Sequence, residues 1–152
     1  MKRIGSIAAT LLIALAACSG PTDSDPNVLE LSSGTSFGMC AGYCVTELVV
    51  EDSVVRLTER GWPSFNLQPR VRTLDLSPAE AERIRRLIDV GDFASLEGTH
   101  GCPDCADGGA EWIQIRTEEG QTVRVTFEYG DVLEPIAELQ AAIRTQRQRF
   151  PR

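Results

Sequence analysis

The chain has 152 residues, of which 42% are hydrophobic and 24% charged, as expected of a globular domain, and it carries a formal net charge of -7 at pH 7. This acidic balance argues against nonspecific binding to nucleic acid and against docking on anionic lipid through the protein surface, because both depend on positive charge. The length allows one hydrophobic core and is short for two.

The first segment has the pattern of a secretory signal. Lys2 and Arg3 form a short positive region, and the following residues up to Ala17 are small or apolar without one charge. This stretch is too short to span a bilayer, which takes roughly 20 residues, but it fits the apolar core of a signal peptide. We therefore predict that residues 1–17 are a signal peptide.

The predicted signal ends in Leu15-Ala16-Ala17-Cys18, which is an aliphatic residue and two small residues before a cysteine. This ending resembles the lipobox of bacterial lipoproteins. The resemblance implies a diacylglycerol group on the Cys18 thiol and so a membrane partner through lipid, although an ordinary cleaved signal would leave Cys18 unmodified. Each buried CH₂ adds about 0.8 kcal/mol to such an anchor. In some Gram-negative bacteria, an aspartate directly after the lipidated cysteine favours retention in the inner membrane, and this chain has Ser19 at that position. The outer membrane is therefore favoured over the inner one, with the domain facing the periplasm.

A polar segment, SGPTDSDPN, follows Cys18. Its small residues and prolines, without apolar periodicity, predict a flexible tether over residues 18–27. About nine residues reach roughly 30 Å when extended and nearer 17 Å as a coil. We expect a single folded domain over residues 28–150.

Four strands are predicted in the first half of the domain. They are VLELSS from Val28, YCVTELVVE from Tyr43, VVRLTER from Val54 and VRTLDL from Val71. Asp52 and Ser53 separate the second strand from the third and predict a hairpin turn.

A helix start follows these strands. Ser77 can cap the helix, Pro78 suits its first position, and Glu80 completes a capping box. An apolar stripe runs along the segment to Ile88, and Gly91 is expected to end the helix. The stretch SLEGTHGCPDCADGG, from Ser95 to Gly109, is predicted to be a loop.

The second half repeats the order of the first. EWIQIRTE and QTVRVTFEY alternate as two strands around a glycine-containing turn, and apolar residues from Leu133 to Ile143 lie at helical spacing. The sequence therefore predicts an α+β fold of order ββ(β)αββα. We expect an antiparallel sheet of four to six strands with two helices packed on one face.

Catalytic groups are scarce. Any Ser-His-Asp or Cys-His scheme would need His100, the only histidine, and neither a nucleophile elbow nor a phosphate-binding glycine loop occurs. We therefore predict that the chain is not an enzyme and needs no cofactor.

Four cysteines remain beside Cys18: Cys40, Cys44, Cys102 and Cys105. An exported chain favours disulfide bonds, but four cysteines allow three connectivities. Two local pairs would each contribute about 2 kcal/mol by loop entropy, whereas a bridge between the clusters would contribute roughly 4 kcal/mol. Short separation favours the local pairs, and the sequence alone does not choose.

Two other interpretations of the cysteines stay open. The four thiolates could hold zinc or copper, with His100 or Met39 replacing one ligand. Alternatively, Cys102-Pro-Asp-Cys105 could exchange disulfides, although a reactive CxxC needs a helix N-terminus, and a loop and strand are predicted here instead.

The GWPSF segment places Trp62 and Phe65 in a loop. Such aromatic residues can form a binding patch for a protein or glycan, but more often they fold back over a sheet. We favour packing.

The segment SFGMCAGYC carries a second resemblance. Phe37, Gly38, Cys40 and Tyr43 match a Phe-Gly-x-Cys-x-x-Tyr motif, and the segment resembles an uncharacterised family of small bacterial envelope domains. The chain departs from that pattern at Ser36, where a cysteine is usual, and at Cys44. The resemblance implies the fold and the compartment. Together these features predict a lipid-anchored binding or structural module with an unidentified envelope partner, and the alternative is a metal-binding or thiol-redox lipoprotein.

Overall fold

A computed structural model describes residues 28–151. The predicted signal peptide, the predicted lipidation site Cys18 and the predicted tether lie outside the described residues. Within this range, none of the helices has the length and apolar character needed to cross a membrane.

Seven strands of the described chain form one mixed sheet. They are β1 (Val28–Ser36), β2 (Val45–Glu51), β3 (Val54–Arg60), β4 (Arg70–Asp75), β5 (Gly98–Thr99), β6 (Ala110–Thr117) and β7 (Thr122–Glu128). Their order across the sheet is β4-β3-β2-β1-β6-β7-β5. All neighbours are antiparallel except β5, which runs parallel to β7. The first strand in sequence is thus the central strand, with a hairpin on each side.

Three α-helices occur in the described residues. They are α1 (Pro78–Arg86), α2 (Val90–Ser95) and α3 (Ala137–Gln148). The capping box at the start of α1 is present as predicted, because the Glu80 N–H donates to Ser77 Oγ at 3.3 Å and the Ser77 N–H donates to Glu80 Oε2 at 2.9 Å. This reciprocal pair satisfies two amide groups that the helix leaves open.

The α+β class is confirmed, but three finer expectations are wrong. The sheet has seven strands instead of four to six, it is mixed instead of antiparallel, and three α-helices replace two. The extra strand β5 is only two residues long and leaves no alternating pattern that could be recognised within the predicted loop. The extra helix arises because Asp89 caps a new start, where its Oδ1 accepts the Asp92 N–H at 3.0 Å. Gly91 therefore lies in the first turn of α2 instead of ending α1.

One hydrophobic core joins the helices to one face of the sheet. Alternate residues of β6 and β7 point toward this face, including Ile113, Ile115 and Phe127, which are fully buried. Phe93 of α2 and Ile143 of α3 belong to the same cluster and are also fully buried. Burying a side chain of this size contributes about 1.5–3 kcal/mol, so the helices are held chiefly by this apolar face.

The other face of the sheet has no helix over it among the described residues. Trp112 lies flat across Gly34 of the neighbouring strand, since a Cβ at Gly34 would meet the indole ring at 2.4 Å. The Arg124 guanidinium stacks on the same indole, 4.0 Å from a ring centroid. Burial lowers the pKa of Arg124, and the Glu47 carboxylate partly offsets this effect. We call this surface, which also carries the Glu47–Arg60 and Glu51–Arg56 ion pairs, the open face.

Candidate functional site

A cleft of about 710 Å³ opens on the helix-covered side, at the end of the sheet where β1 ends and β2 begins. Thr35 and Thr46 form part of its floor, and their hydroxyl oxygens lie 2.7 Å apart. The C-terminal half of α3 and the residues Phe150 and Pro151 form walls. We call this site the arginine cleft, after Arg72, Arg144 and Arg147, which line it.

One wall of the arginine cleft is built on a buried carboxylate. Glu111 of β6 has a side chain that is 1% exposed, and it accepts hydrogen bonds from two arginines of α3. Arg144 donates to Glu111 Oε2 through Nε at 3.1 Å and through Nη2 at 2.8 Å, and Arg147 Nη1 donates to Oε1 at 3.0 Å. Charge-assisted pairs of this kind are strong and directional, so they fix the register of α3 against the sheet.

The opposite wall repeats this pairing on the edge strand. Arg72 Nη2 donates to Glu59 Oε2 at 2.7 Å, and Arg72 Nη1 donates to the Pro151 carbonyl oxygen. The same guanidinium lies 5.6 Å from the centroid of the Phe150 ring. Arg72 therefore connects β3, β4 and the segment that follows α3.

The charges of the cleft do not balance. Three arginines and two glutamates line it, because Arg144 and Arg147 share Glu111 while Arg72 has Glu59. Within residues 28–151, Arg72 Nε and Arg147 Nε are the buried side-chain nitrogen or oxygen atoms without a hydrogen-bond partner. A buried donor without an acceptor costs about 1–3 kcal/mol. Because the arginines outnumber the glutamates by one, the site is locally positive, although the net charge of the protein is negative.

The rim of the cleft is aromatic. Phe37 and Tyr129 pack edge to face with ring centroids 4.9 Å apart. Gly109 makes this packing possible, because a Cβ there would lie 2.4 Å from the Phe37 ring and its φ is +88°. Tyr43 completes the rim, where its hydroxyl donates to the Gln68 carbonyl oxygen at 2.8 Å and Arg70 stacks on its ring at 4.1 Å.

The four predicted disulfide cysteines form two local pairs at bonding distance. Cys40 pairs with Cys44, with Cα atoms 5.6 Å apart, and Cys102 pairs with Cys105, with Cα atoms 5.4 Å apart. The connectivity is the local one of the three that the sequence allowed. The two loops touch, because the Gly38 N–H donates to Asp104 Oδ1 at 3.1 Å.

Each cysteine pair lies next to the aromatic rim. Tyr43 is inside the Cys40–Cys44 ring, and Phe37 precedes it. The loop that holds the second pair ends at Gly109, whose carbonyl oxygen accepts the Tyr129 N–H at 3.1 Å. The cysteine loops thus hold the three aromatic rings of the rim.

The residues considered for metal binding or redox chemistry are not assembled into a common site. Among residues 28–151, no three His, Cys, Asp or Glu side chains form a group that could hold a metal ion. His100 instead lies with Nε2 at 2.7 Å from the Leu96 carbonyl oxygen. The Cys102 N–H donates to Glu128 Oε1 at 2.8 Å.

The two loop aromatics of the GWPSF segment have different environments. Trp62 packs back, and its indole N–H donates to the Phe37 carbonyl oxygen at 2.9 Å. Phe65 is 44% exposed, and with the 80% exposed Met39 it lines a shallow depression beside Cys40.

No protein-family model matches the chain, and the search of curated proteins found no match. The site therefore has to be interpreted from its own chemistry.

The arginine cleft was missed by sequence reasoning. Glu111 carried a usable signal, because it occupies an inward position of β6, in phase with Ile113 and Ile115. A charge at a core position predicts a buried partner of opposite sign. No local sequence pattern indicates that this partner is Arg144, 33 residues further along the chain.

Proposed function

We propose that this protein is a lipid-anchored lipoprotein of the cell envelope, facing the periplasm, whose domain is a non-enzymatic binding module with its ligand site in the arginine cleft. The observation that carries the binding role is the cleft itself. Its volume of about 710 Å³ lies within the range of small-molecule sites, roughly 300–1,000 Å³. Its lining brings aromatic rings together with polar and charged groups that hydrogen bonds hold in place, and such fixed polar groups are what orient a ligand in a site.

The pairing of the charged groups supports binding over catalysis. Glu111 and Glu59 each accept hydrogen bonds from arginines, and His100 lies against the Leu96 carbonyl. A general base must reach a substrate proton, and a carboxylate occupied by guanidinium donors is poorly suited to accept one. These groups are better suited to hold a ligand than to transform it.

The disulfides have a defined part in this proposal. The Cys40–Cys44 and Cys102–Cys105 pairs flank Phe37, Tyr43 and Tyr129, so their bonds would keep the rim ordered before a ligand arrives. A rim that is already ordered loses less conformational entropy on binding.

The ligand site is tested with two matched tryptophan variants. Thr46→Trp fills the floor of the cleft, whereas Thr58→Trp places the same ring on the open face of the neighbouring strand. Small organic fragments of different charge are screened by ligand-observed NMR against the wild type and both variants, whose folding is checked by circular dichroism. We expect binding to the wild type and to Thr58→Trp but not to Thr46→Trp. Fragments that bind Thr46→Trp as well as the wild type would place the site elsewhere.

The anchor is tested by fractionation. Cys18→Ala should release the chain from the membrane, because it removes the only residue that the lipobox pattern would lipidate, whereas Cys102→Ala should leave it bound. Equal membrane association of both variants would contradict lipid anchoring. Separation of inner and outer membranes then assigns the membrane, for which Ser19 favours the outer.

The cysteine pairs also leave a second candidate function open, a metal-binding or thiol-redox role. Intact-mass spectrometry of the full chain, with and without reductant, distinguishes this role from that of a disulfide-stabilised binding module. A mass lower by two hydrogens for each of two bonds supports the disulfides, while free thiols with bound zinc or copper support the alternative.

A further inference from the structure

We propose that the arginine cleft selects a small organic molecule with a single carboxylate beside an aromatic or apolar group. This inference rests on the proposed binding function and specifies the class of its ligand. The carboxylate would lie between Arg72 on one wall and Arg147 on the other, and the apolar part would lie against Phe37 and Tyr129.

The first argument is the charge of the site. Arg144 and Arg147 share the one carboxylate of Glu111, so the cleft keeps one positive charge more than its two glutamates neutralise. The side chain of Arg147 is only 15% exposed and that of Arg144 only 23%. Water therefore screens this excess charge less than on an open surface, and a monoanion would neutralise it.

The second argument is the pair of donors without acceptors. The Nε–H groups of Arg72 and Arg147 are buried in the cleft walls and have no partner among the described residues. The side chain of Arg72 is 30% exposed, whereas Arg147 is held by Glu111 through Nη1 and by Ser33 Oγ through Nη2 at 2.7 Å. A rotation of the Arg72 guanidinium would bring its Nε–H to a ligand oxygen while a terminal nitrogen keeps Glu59, and a ligand oxygen at Arg147 Nε would satisfy the donor that Glu111 and Ser33 leave open. Such charge-assisted bonds to a carboxylate are about twice as strong as neutral ones.

The third argument concerns the rest of the ligand. Phe37 and Tyr129 present ring surface at the rim, next to the arginine walls. The hydroxyls of Thr35 and Thr46, which bond to each other, remain able to accept or donate one more hydrogen bond at the floor. An aromatic or apolar group adjoining the carboxylate would cover the rings and gain the packing energy that such pairs provide.

A carboxylate fits this site better than a phosphate monoester. The cleft has one excess positive charge, which matches the single charge of a carboxylate, whereas a phosphate monoester carries about -1.5 to -2 at pH 7. The second charge of a phosphate would face Glu59 or Glu111 without compensation.

The test uses N-acetylphenylalanine, its neutral amide and phenyl phosphate as probes with the full chain in detergent micelles. The ¹H–¹⁵N resonances of the arginine Nε–H groups are followed during each titration and are assigned with Arg72→Lys and Arg147→Lys. We expect N-acetylphenylalanine to shift the Arg72 and Arg147 Nε–H signals and to slow their exchange with water. The affinity for the neutral amide should be lower by about tenfold, because the amide lacks the charge that these donors would bind.

Three variants complete the design. Arg72→Gln and Arg147→Gln should each weaken binding of the acid by about tenfold. Arg56→Gln is the matched control, because Arg56 is also paired with a glutamate on the sheet but lies on the open face. Its substitution should leave binding unchanged.

The possible outcomes distinguish failure of the carboxylate proposal from failure of the proposed binding function. Equal binding of acid and amide within the cleft would overturn the carboxylate while leaving the binding function intact. Tighter binding of phenyl phosphate than of the acid would overturn it in favour of phosphate. Shifts confined to open-face residues such as Arg56 or Arg124 would overturn both the carboxylate and the cleft as the ligand site.

Discussion

Removal of the Glu111 charge is the sharpest test of how the cleft is built. Glu111→Gln keeps the shape of the side chain and one oxygen acceptor, but it leaves Arg144 and Arg147 without their shared carboxylate. The helix α3 would lose its charged attachment to β6, while the apolar contacts of Leu139 and Ile143 would remain. The variant should therefore fold and be less stable.

The magnitude follows from the burial of the three groups. Removing one partner of a buried ion pair costs about 3–5 kcal/mol. The two guanidiniums keep 15% and 23% exposure and can regain some water, and the glutamine retains one acceptor, which lowers the cost to about 2–3 kcal/mol. For a domain of this size, that corresponds to a fall in Tm of roughly 10 °C.

Urea unfolding followed by circular dichroism measures this difference. The denaturation midpoint should fall while the m-value stays constant, since the surface exposed on unfolding is unchanged. Glu119→Gln is the control, because this exposed turn residue should change stability by no more than about 0.5 kcal/mol. If Glu111→Gln were as stable as Glu119→Gln, the buried carboxylate would not be what holds α3 on the sheet.

Three further predictions concern other parts of the domain. Gly34→Ala should lower the free energy of unfolding by about 1–3 kcal/mol, because its Cβ would overlap Trp112. In a Trp112→Leu background, urea unfolding should show a much smaller loss of stability for the same substitution. Equal losses in the two backgrounds would exclude the clash. The Ser77 hydroxyl and then the Ser77 N–H hold the pKa of Glu80 below its ordinary value of 4.5, so its stabilising effect should be complete above that pH and be lost as pH falls through the lower folded pKa. The Tm difference between wild type and Glu80→Gln should accordingly close in acid, and a constant difference would contradict the capping box as its source. Replacing Cys102 and Cys105 with serine should speed amide exchange at Tyr129 but not at Ile113, and uniform exchange would show that the second cysteine loop does not hold the rim.

Much of the architecture was readable from local patterns. Ser77, Pro78 and Glu80 predicted the start of α1 because a helix N-terminus is determined by its own few residues. The hairpin at Asp52 and Ser53 was predicted for the same reason, since turn chemistry and the two flanking alternations are local. Elements whose determinants lie within a single turn were thus accessible to sequence reasoning.

The remaining features depend on contacts between distant segments. The central place of β1 requires pairing with β6, more than 70 residues later, and no local pattern encodes that partner. The helix expected to run to Gly91 ends earlier, and a second helix that starts at the Asp89 cap carries Phe93 into the core. The arginine cleft combines residues of five strands, one helix and the segment after it, so its charge balance could not be seen before the fold was known.

The direction of the central strand sets where this domain would meet its ligand in a chain anchored at Cys18. The strand β1 enters the domain at Val28 and ends at Ser36 beside the cleft, so its nine residues cover about 30 Å. An anchor before Val28 would therefore attach to the end of the sheet opposite the ligand site. The cleft would then be separated from the attachment point of the tether by the length of β1.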